Sequence, residues 1–241
     1  MPTSNGPARL LIGRPTLRIV WPGQLERSLR DRRLATLSAE EAEQYRAMPV
    51  EARRRDWLAG RLAAKLAVRD VMRRCGSAPA LRSIVIANDE SGAPSFVVDG
   101  RGDRELGLNL SLAHAGGVAL AAVADTAQCG MVGVDVELDR ALARQRLRSV
   151  LTAREWRALK TGDPMLVPSP LLLWMLKEAV FKADRGETFV APWLVELQWR
   201  AGRIRVRRPP ATSVRSRYRL SFRSHTGVVI ACAVRSLSET S

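Results

Sequence analysis

The middle of the chain reads Gly133-Val134-Asp135-Val136-Glu137, where apolar residues alternate with acidic ones. This alternation predicts a β-strand, because side chains two residues apart project from the same side of a strand. Asp135 and Glu137 would therefore lie on one face. Two carboxylates in that position are suitable oxygen ligands for Mg²⁺.

A second informative stretch reads Trp-Met-Leu-Lys-Glu-Ala-Val-Phe-Lys-Ala at residues 174–183. It follows Pro170, a residue that favours the first turn of a helix, so we predict that a helix carries it. Glu178 and Lys182 would lie one turn apart on one face of that helix, with Lys177 just beside them. Acids for a cation and lysines for phosphates together indicate a substrate that contains a diphosphate.

The composition is that of a globular protein with a buried core: 241 residues, 46% of them hydrophobic and 26% charged. The apolar runs are far shorter than the roughly 20 residues of a membrane span. The N-terminus has no apolar block of the kind a secretory signal needs. We therefore expect no membrane segment, a cytoplasmic location and three reduced, structural cysteines.

The net charge of +15 predicts attraction to polyanions, and a nucleic acid, an acidic protein and a polyphosphate ligand all fit it. Nucleic-acid binding is the less favoured alternative. The sequence has no zinc-finger pattern, aromatic RNA-binding signature or basic zipper, and aromatic residues make up just 5% of it. Two of the four lysines, Lys177 and Lys182, fall in the predicted helix, while Lys65 and Lys160 lie elsewhere. A site that keeps lysine in an arginine-rich chain is consistent with a need for the smaller ammonium.

The remaining patterns predict an α+β chain. Ser38 and Thr152 each begin a helix with a glutamate three residues later, which is a capping box, and residues 49–74 form a longer helix. Strands are predicted at residues 17–21, 83–87, 95–98, 106–112, 118–124, 131–138, 193–199, 203–207, 217–222 and 228–234.

Taken in order, the two opening stretches resemble the signature pair of the 4'-phosphopantetheinyl transferases, in the larger monomeric class typified by the surfactin-synthetase activator. Residues 109–116, Asn-Leu-Ser-Leu-Ala-His-Ala-Gly, resemble the family's Ser-x-x-His-Ser-Gly segment. Residues 53–61, Arg-Arg-Arg-Asp-Trp-Leu-Ala-Gly-Arg, resemble its early arginine-rich helix. The resemblance extends from about residue 35 to residue 190.

The resemblance implies a pseudo-dimer of two similar α+β lobes, each a small, mainly antiparallel sheet packed with helices, with coenzyme A in the cleft between them. We expect an N-terminal lobe over residues 1–112 that contacts the nucleotide of coenzyme A. A C-terminal lobe over residues 113–241 would carry the metal and catalytic motifs. A chain that holds both halves of the site is expected to be a monomer.

The resemblance also implies the reaction, in which phosphopantetheine moves from coenzyme A to a serine of an acyl or peptidyl carrier protein and 3',5'-ADP is released. It makes Asp135, Glu137 and Glu178 the ligands of Mg²⁺. Glu178 is also the candidate base, and Lys177 and Lys182 would neutralise charge on the diphosphate. The basic surface suits an acidic carrier protein.

Further residues are implied to bind coenzyme A. His114 would contact a phosphate, and Arg54 or Arg61 would bind the 3'-phosphate through a bidentate guanidinium. Two positions depart from the family, because Ala93 stands where a lysine often occurs and Ala115 where a serine is usual. A coenzyme A binder that has lost catalysis is therefore a second alternative.

Overall fold

The computed structural model describes residues 14–25, 33–90, 92–139, 144–162, 169–184, 192–200, 203–207 and 216–237. Within these ranges helices combine with antiparallel sheets, which confirms the predicted α+β class. The elements are β1 (Thr16–Val20), α1 (Ala39–Ala47), α2 (Glu51–Arg74), β2 (Ile84–Asn88), β3 (Pro94–Val98), β4 (Arg101–Gly102), β5 (Leu108–Ala115), β6 (Val118–Asp125), β7 (Met131–Leu138), α3 (Arg144–Val150), α4 (Ala153–Thr161), α5 (Pro170–Ala183), β8 (Glu196–Arg200), β9 (Arg203–Arg207), β10 (Ser216–His225) and β11 (Val228–Leu237).

The helix starts form as local sequence predicts. Ser38 and Thr152 each accept a hydrogen bond from the backbone N–H three residues later, and Glu41 and Glu155 complete the two capping boxes. The predicted bounds of β7 are the observed ones. Helix α3 is not predicted, because its arginine-rich sequence shows no apolar repeat.

Two three-stranded antiparallel sheets form the centre of the described structure, with strand orders β1-β6-β5 and β10-β11-β7. Smaller sheets, β2-β3-β4 and β8-β9, lie outside them. In the first central sheet Arg18 of β1 pairs with Ala121 of β6. In the second, Asp135 of β7 pairs with Ala231 of β11.

The order of elements repeats along the chain. Helices α1 and α2, the β2–β3 hairpin and the β5–β6 hairpin are followed by α4, α5, the β8–β9 hairpin and the β10–β11 hairpin. Strand β1 pairs with the first long hairpin as β7 pairs with the second. This order is the one expected of two similar lobes. The division at residue 112 stays a proposal and would fall inside β5.

Apolar side chains form three clusters in the described residues. One packs α2 against the first central sheet, a second packs α5 against the second sheet, and a third lies between the two sheets. Val132, Val134 and Val136 of β7 point into the third cluster. The alternate residues of β7, which include Asp135 and Glu137, therefore lie on its opposite face.

No helix in the described ranges is both long and apolar enough to cross a membrane. The three cysteines are thiols and form no disulfide, as expected, and Cys129 and Cys232 are buried. Burial raises the pKa of the Cys232 thiol to about 11.

Candidate active site

The candidate site forms where α5 lies directly on β7. Gly133 has no side chain, and a Cβ there would overlap the backbone oxygen of Ala179 and come within 2.5 Å of the backbone nitrogen of Ala183. The backbones of the helix and the strand therefore touch at Gly133. This contact brings the last turns of α5 beside the acidic face of β7.

Asp135 and Lys182, one from each of the two sequence motifs, meet at this contact. Lys182 Nζ donates to Asp135 Oδ1 at 2.8 Å and to the carbonyl oxygen of Val134 at 3.1 Å. Asp135 is buried, and its second oxygen, Oδ2, has no hydrogen-bond partner. Burial raises the pKa of the Asp135 carboxyl above its ordinary value, and the Lys182 ammonium opposes that shift. A buried carboxylate oxygen without a donor is suited to a cation.

The other two predicted metal ligands lie on the same two elements. Glu137 is partly buried and lies two residues beyond Asp135 on β7. Glu178 is partly buried on α5 and precedes Ala179, whose backbone meets Gly133. In the part of the chain that the structure describes, no three His, Cys, Asp or Glu side chains converge closely enough to hold a metal ion. The donor chemistry and the orphaned Asp135 Oδ2 fit Mg²⁺, and the three-carboxylate set stays a proposal.

Strand β5 holds β7 in place from the first sheet. The Val132 N–H donates to Asn109 Oδ1 at 2.6 Å, and the Val134 N–H donates to Ser111 Oγ at 3.1 Å. These two side chains satisfy backbone donors of β7 on either side of Gly133. The sequence analysis includes both residues in the segment 109–116 but gives neither of them a role, although the alternation of polar and apolar residues from position 109 to 112 is the signal that would have found one.

His114 lies further along β5 with its side chain exposed. It is close enough to Asp135 for its charge to favour the ionised carboxylate. The structure thus brings Asp135 and Lys182 into contact, and His114 acts on Asp135 through charge alone.

Lys177 does not join this group, contrary to the sequence-based expectation. Its Nζ is buried, donates to the carbonyl oxygen of Val150 at 2.7 Å and forms an ion pair with Glu155. Burial lowers the pKa of the Lys177 ammonium, and Glu155 opposes that shift. Successive residues of a helix are about 100° apart around its axis, so Lys177 and its neighbour Glu178 point in different directions.

The two candidate arginines have different environments. Arg54 Nη1 donates to the carbonyl oxygen of Met48 at 2.8 Å, in the connection between α1 and α2. Arg61 lies over the Trp57 ring at 4.7 Å. Its buried Nε has no hydrogen-bond partner and lies 3.9 Å from Glu41 Oε1 in an ion pair. Arg61 also lines a cavity of about 400 Å³ formed by α1, α2 and β2, which Arg54 does not reach. Arg61 is therefore the better placed of the two to bind an anion.

Comparisons with known proteins point to one family. Residues 131–233, which include β7 and α5, match the model of the 4'-phosphopantetheinyl transferase superfamily. The protein named 4'-phosphopantetheinyl transferase Npt from Nocardia iowensis is 34% identical over 148 residues. The match covers 61% of this chain and spans 59% of the length of that relative.

Two solved structures of holo-[acyl-carrier-protein] synthases are similar over less than half of this chain. The enzyme from Neisseria meningitidis has a TM-score of 0.36 and 23% identity, over 47% of this chain and 97% of its own. The enzyme from Thermotoga maritima has a TM-score of 0.35 and 20% identity, over 45% of this chain and 64% of its own. Residues 131–233 of this chain are thus similar to the 4'-phosphopantetheinyl transferase superfamily, and the chain spans about three fifths of the length of the transferase from Nocardia iowensis that it matches.

Proposed function

We propose that this protein transfers the phosphopantetheine group of coenzyme A to a serine of an acyl or peptidyl carrier protein, with Mg²⁺, and releases 3',5'-ADP. The carrying observation is the buried Asp135, whose Oδ2 has no donor and whose Oδ1 accepts from Lys182. Both residues lie in the range that matches the family. The repeated order of elements supports assignment to the larger class, in which one chain holds both halves of the site and acts as a monomer.

In this reaction the serine oxygen forms a bond to the phosphorus that carries pantetheine. The bond from that phosphorus to the bridging oxygen of the diphosphate breaks, and its electron pair stays on the 3',5'-ADP that leaves. Glu178 takes the serine proton. Asp135, Glu137 and Glu178 would hold Mg²⁺, which would supply positive charge to the diphosphate.

Lys182 has two roles in this proposal. Its hydrogen bond to Asp135 favours the ionised carboxylate that a metal ligand requires. Its third N–H is available to a phosphate oxygen, since an ammonium has three donors and two of them bind Asp135 and the carbonyl oxygen of Val134. Charge that develops on the leaving diphosphate oxygen would be neutralised by Lys182 and, from the side of β5, by His114.

The first half of the chain would bind the nucleotide end of coenzyme A through Arg61. We expect Arg61→Ala to weaken binding of coenzyme A about tenfold or more, because a charge-assisted hydrogen bond to phosphate contributes about 1.5–3 kcal/mol. Isothermal titration calorimetry with coenzyme A and with 3'-dephospho-coenzyme A measures the effect. The loss should be large for coenzyme A and small for the dephosphorylated form.

Arg54→Ala is the matched control, because it removes a neighbouring arginine that binds a backbone carbonyl instead of lining the cavity. Equal losses with both ligands, or a larger loss for Arg54→Ala, would contradict the assignment of Arg61 to the 3'-phosphate.

The function itself is tested by incubating the protein with Mg²⁺, an apo carrier protein and coenzyme A that bears a fluorophore on its thiol. We expect the carrier to become fluorescent on a denaturing gel, and a carrier with serine replaced by alanine to stay dark. Binding of coenzyme A without labelling of several unrelated carriers would favour the non-catalytic alternative. Tight, strongly salt-dependent binding of DNA or RNA with no binding of coenzyme A would favour the nucleic-acid alternative.

A further inference from the structure

The ion pair of Lys177 and Glu155 joins four elements of the second half. Glu155 caps the start of α4 and accepts from the Leu197 N–H of β8 at 2.8 Å. Lys177 lies on α5 and also donates to Val150, the last residue of α3. Both side chains are almost fully buried, so every polar atom at this junction depends on its protein partners.

The first half contains the same arrangement. Glu41 caps the start of α1 and accepts from the Ile86 N–H of β2 at 3.1 Å. Lys65 on α2 pairs with Glu41 at 2.5 Å and donates to the carbonyl oxygen of Ile84 at 2.6 Å. Each half therefore uses a capping-box glutamate, a buried lysine of the long helix and the first strand of the following hairpin.

The two halves also match at the residue five positions after each buried lysine, which forms an ion pair with a central strand. The helix supplies the cation of that pair in the second half and the anion in the first half. Lys182 follows Lys177 by five positions and pairs with Asp135 on β7. Asp70 follows Lys65 by five positions and pairs with Arg18 on β1. Arg18 and Asp135 occupy the same register, since each pairs with the fourth residue of its neighbouring strand, β6 or β11. The first half thus keeps a buried lysine–glutamate pair, Lys65 with Glu41. At the position of Asp135, the proposed metal ligand, it has Arg18.

We propose that Lys177 is a positioning residue of the transferase: its pair with Glu155 fixes α5 so that Lys182 reaches Asp135, and its ammonium makes no contact with coenzyme A. This inference rests on the proposed function for its kinetic consequences. The pair of Lys65 and Glu41 fixes α2 in the same way in the first half. There Arg18 occupies the position that Asp135 has in the second half. It therefore supplies a matched control that has the same chemistry and lies outside the proposed metal site.

The test compares Lys177→Met with Lys65→Met, and each with the double variant that also carries Glu155→Gln or Glu41→Gln. Each single variant leaves a buried carboxylate without its cation, so we expect the unfolding temperature to fall by about 10 °C. Each double variant removes both charges and should regain most of that loss. If a single variant does not fold, the unfolding temperature and the kinetics of the double variant still test the proposal.

Steady-state kinetics below the unfolding transition separate positioning from mere support of the fold. We expect the double variant at Glu155 and Lys177 to lower kcat about tenfold while KM for coenzyme A changes by less than about twofold. The double variant at Glu41 and Lys65 should keep the kcat of the parent protein. This control is read on kcat alone, because Glu41 Oε1 lies 3.9 Å from Arg61 Nε and lines the proposed nucleotide cavity. Lys182→Met removes a proposed substrate contact and also leaves the buried Asp135 without its cation, so we expect both kcat/KM and the unfolding temperature to fall.

Two results would overturn the proposal. A rise in KM for coenzyme A with unchanged stability in Lys177→Met would mean that Lys177 contacts the diphosphate. An unchanged kcat in the double variant at Glu155 and Lys177 would mean that the pair supports the fold and nothing more. If the parent protein transfers nothing, the proposed function fails. In that case recovery of stability in both double variants still establishes the repeated pair, and absence of recovery refutes it.

Discussion

Replacing Asp135 with asparagine is expected to lower the rate of phosphopantetheine transfer at least about 100-fold while the protein stays folded. The substitution removes the charge that would hold Mg²⁺, and loss of one electrostatic contribution to a transition state costs about this much. The fold should survive, because the amide oxygen of asparagine can still accept a hydrogen bond from Lys182. Transfer rates and thermal unfolding followed by circular dichroism measure the two effects.

Asp139→Asn is the control for this experiment. Asp139 lies just past the end of β7 with its side chain exposed, so the same chemical change is made outside the buried site. The control should keep full activity. Full activity in Asp135→Asn would remove Asp135 from the metal site, and unfolding of that variant would show that the carboxylate mainly supports the structure.

Replacing Gly133 with alanine is expected to destabilise the protein by about 3 kcal/mol and to abolish transfer. The added Cβ would overlap the backbone of α5 at Ala179, where no side chain can rotate away, so the helix itself must move. That movement separates Lys182 from Asp135. Urea unfolding measures the free energy of unfolding, and the labelling assay measures the transfer.

Gly60→Ala provides the contrast, because Gly60 lies inside α2 and a Cβ there would meet Leu112 at an ordinary 3.8 Å. Since alanine favours a helix over glycine by about 1 kcal/mol, this variant should be as stable as the parent or more so. A Gly133→Ala variant with unchanged stability and activity would refute the close helix–strand contact as the basis of the site.

Local patterns in the sequence predict much of the fold, including the strand and the helix that carry the candidate site residues. The alternation around Asp135 predicts β7, and the serine or threonine followed by glutamate predicts two helix starts, because these signals act over a few residues. The helix that carries Glu178 and Lys182 is predicted for the same reason. The contact of Asp135 with Lys182 is not predicted, because it joins two elements whose residues are 47 positions apart in the sequence.

The misplaced residue is Lys177, and the reason is tertiary. Its partner Glu155 lies 22 positions away and already has a local role in a capping box. No residue near Lys177 in the sequence therefore indicates the ion pair. The sequence does not distinguish Arg54 from Arg61 for the same reason, since their environments depend on tertiary packing. Both lie in one arginine-rich helix, and packing of that helix against α1 and β2 decides which of them faces the cavity.

The most direct test of the central claim is intact-mass analysis of an apo carrier protein incubated with this protein, coenzyme A and Mg²⁺, beside parallel reactions with a chelator and with Asp135→Asn. The account predicts that the carrier gains the mass of one phosphopantetheine with the parent protein and Mg²⁺, and gains nothing in the two parallel reactions. A carrier that keeps its apo mass in all three reactions, or gains the group equally in all three, would contradict a transferase whose chemistry depends on Asp135 and its metal.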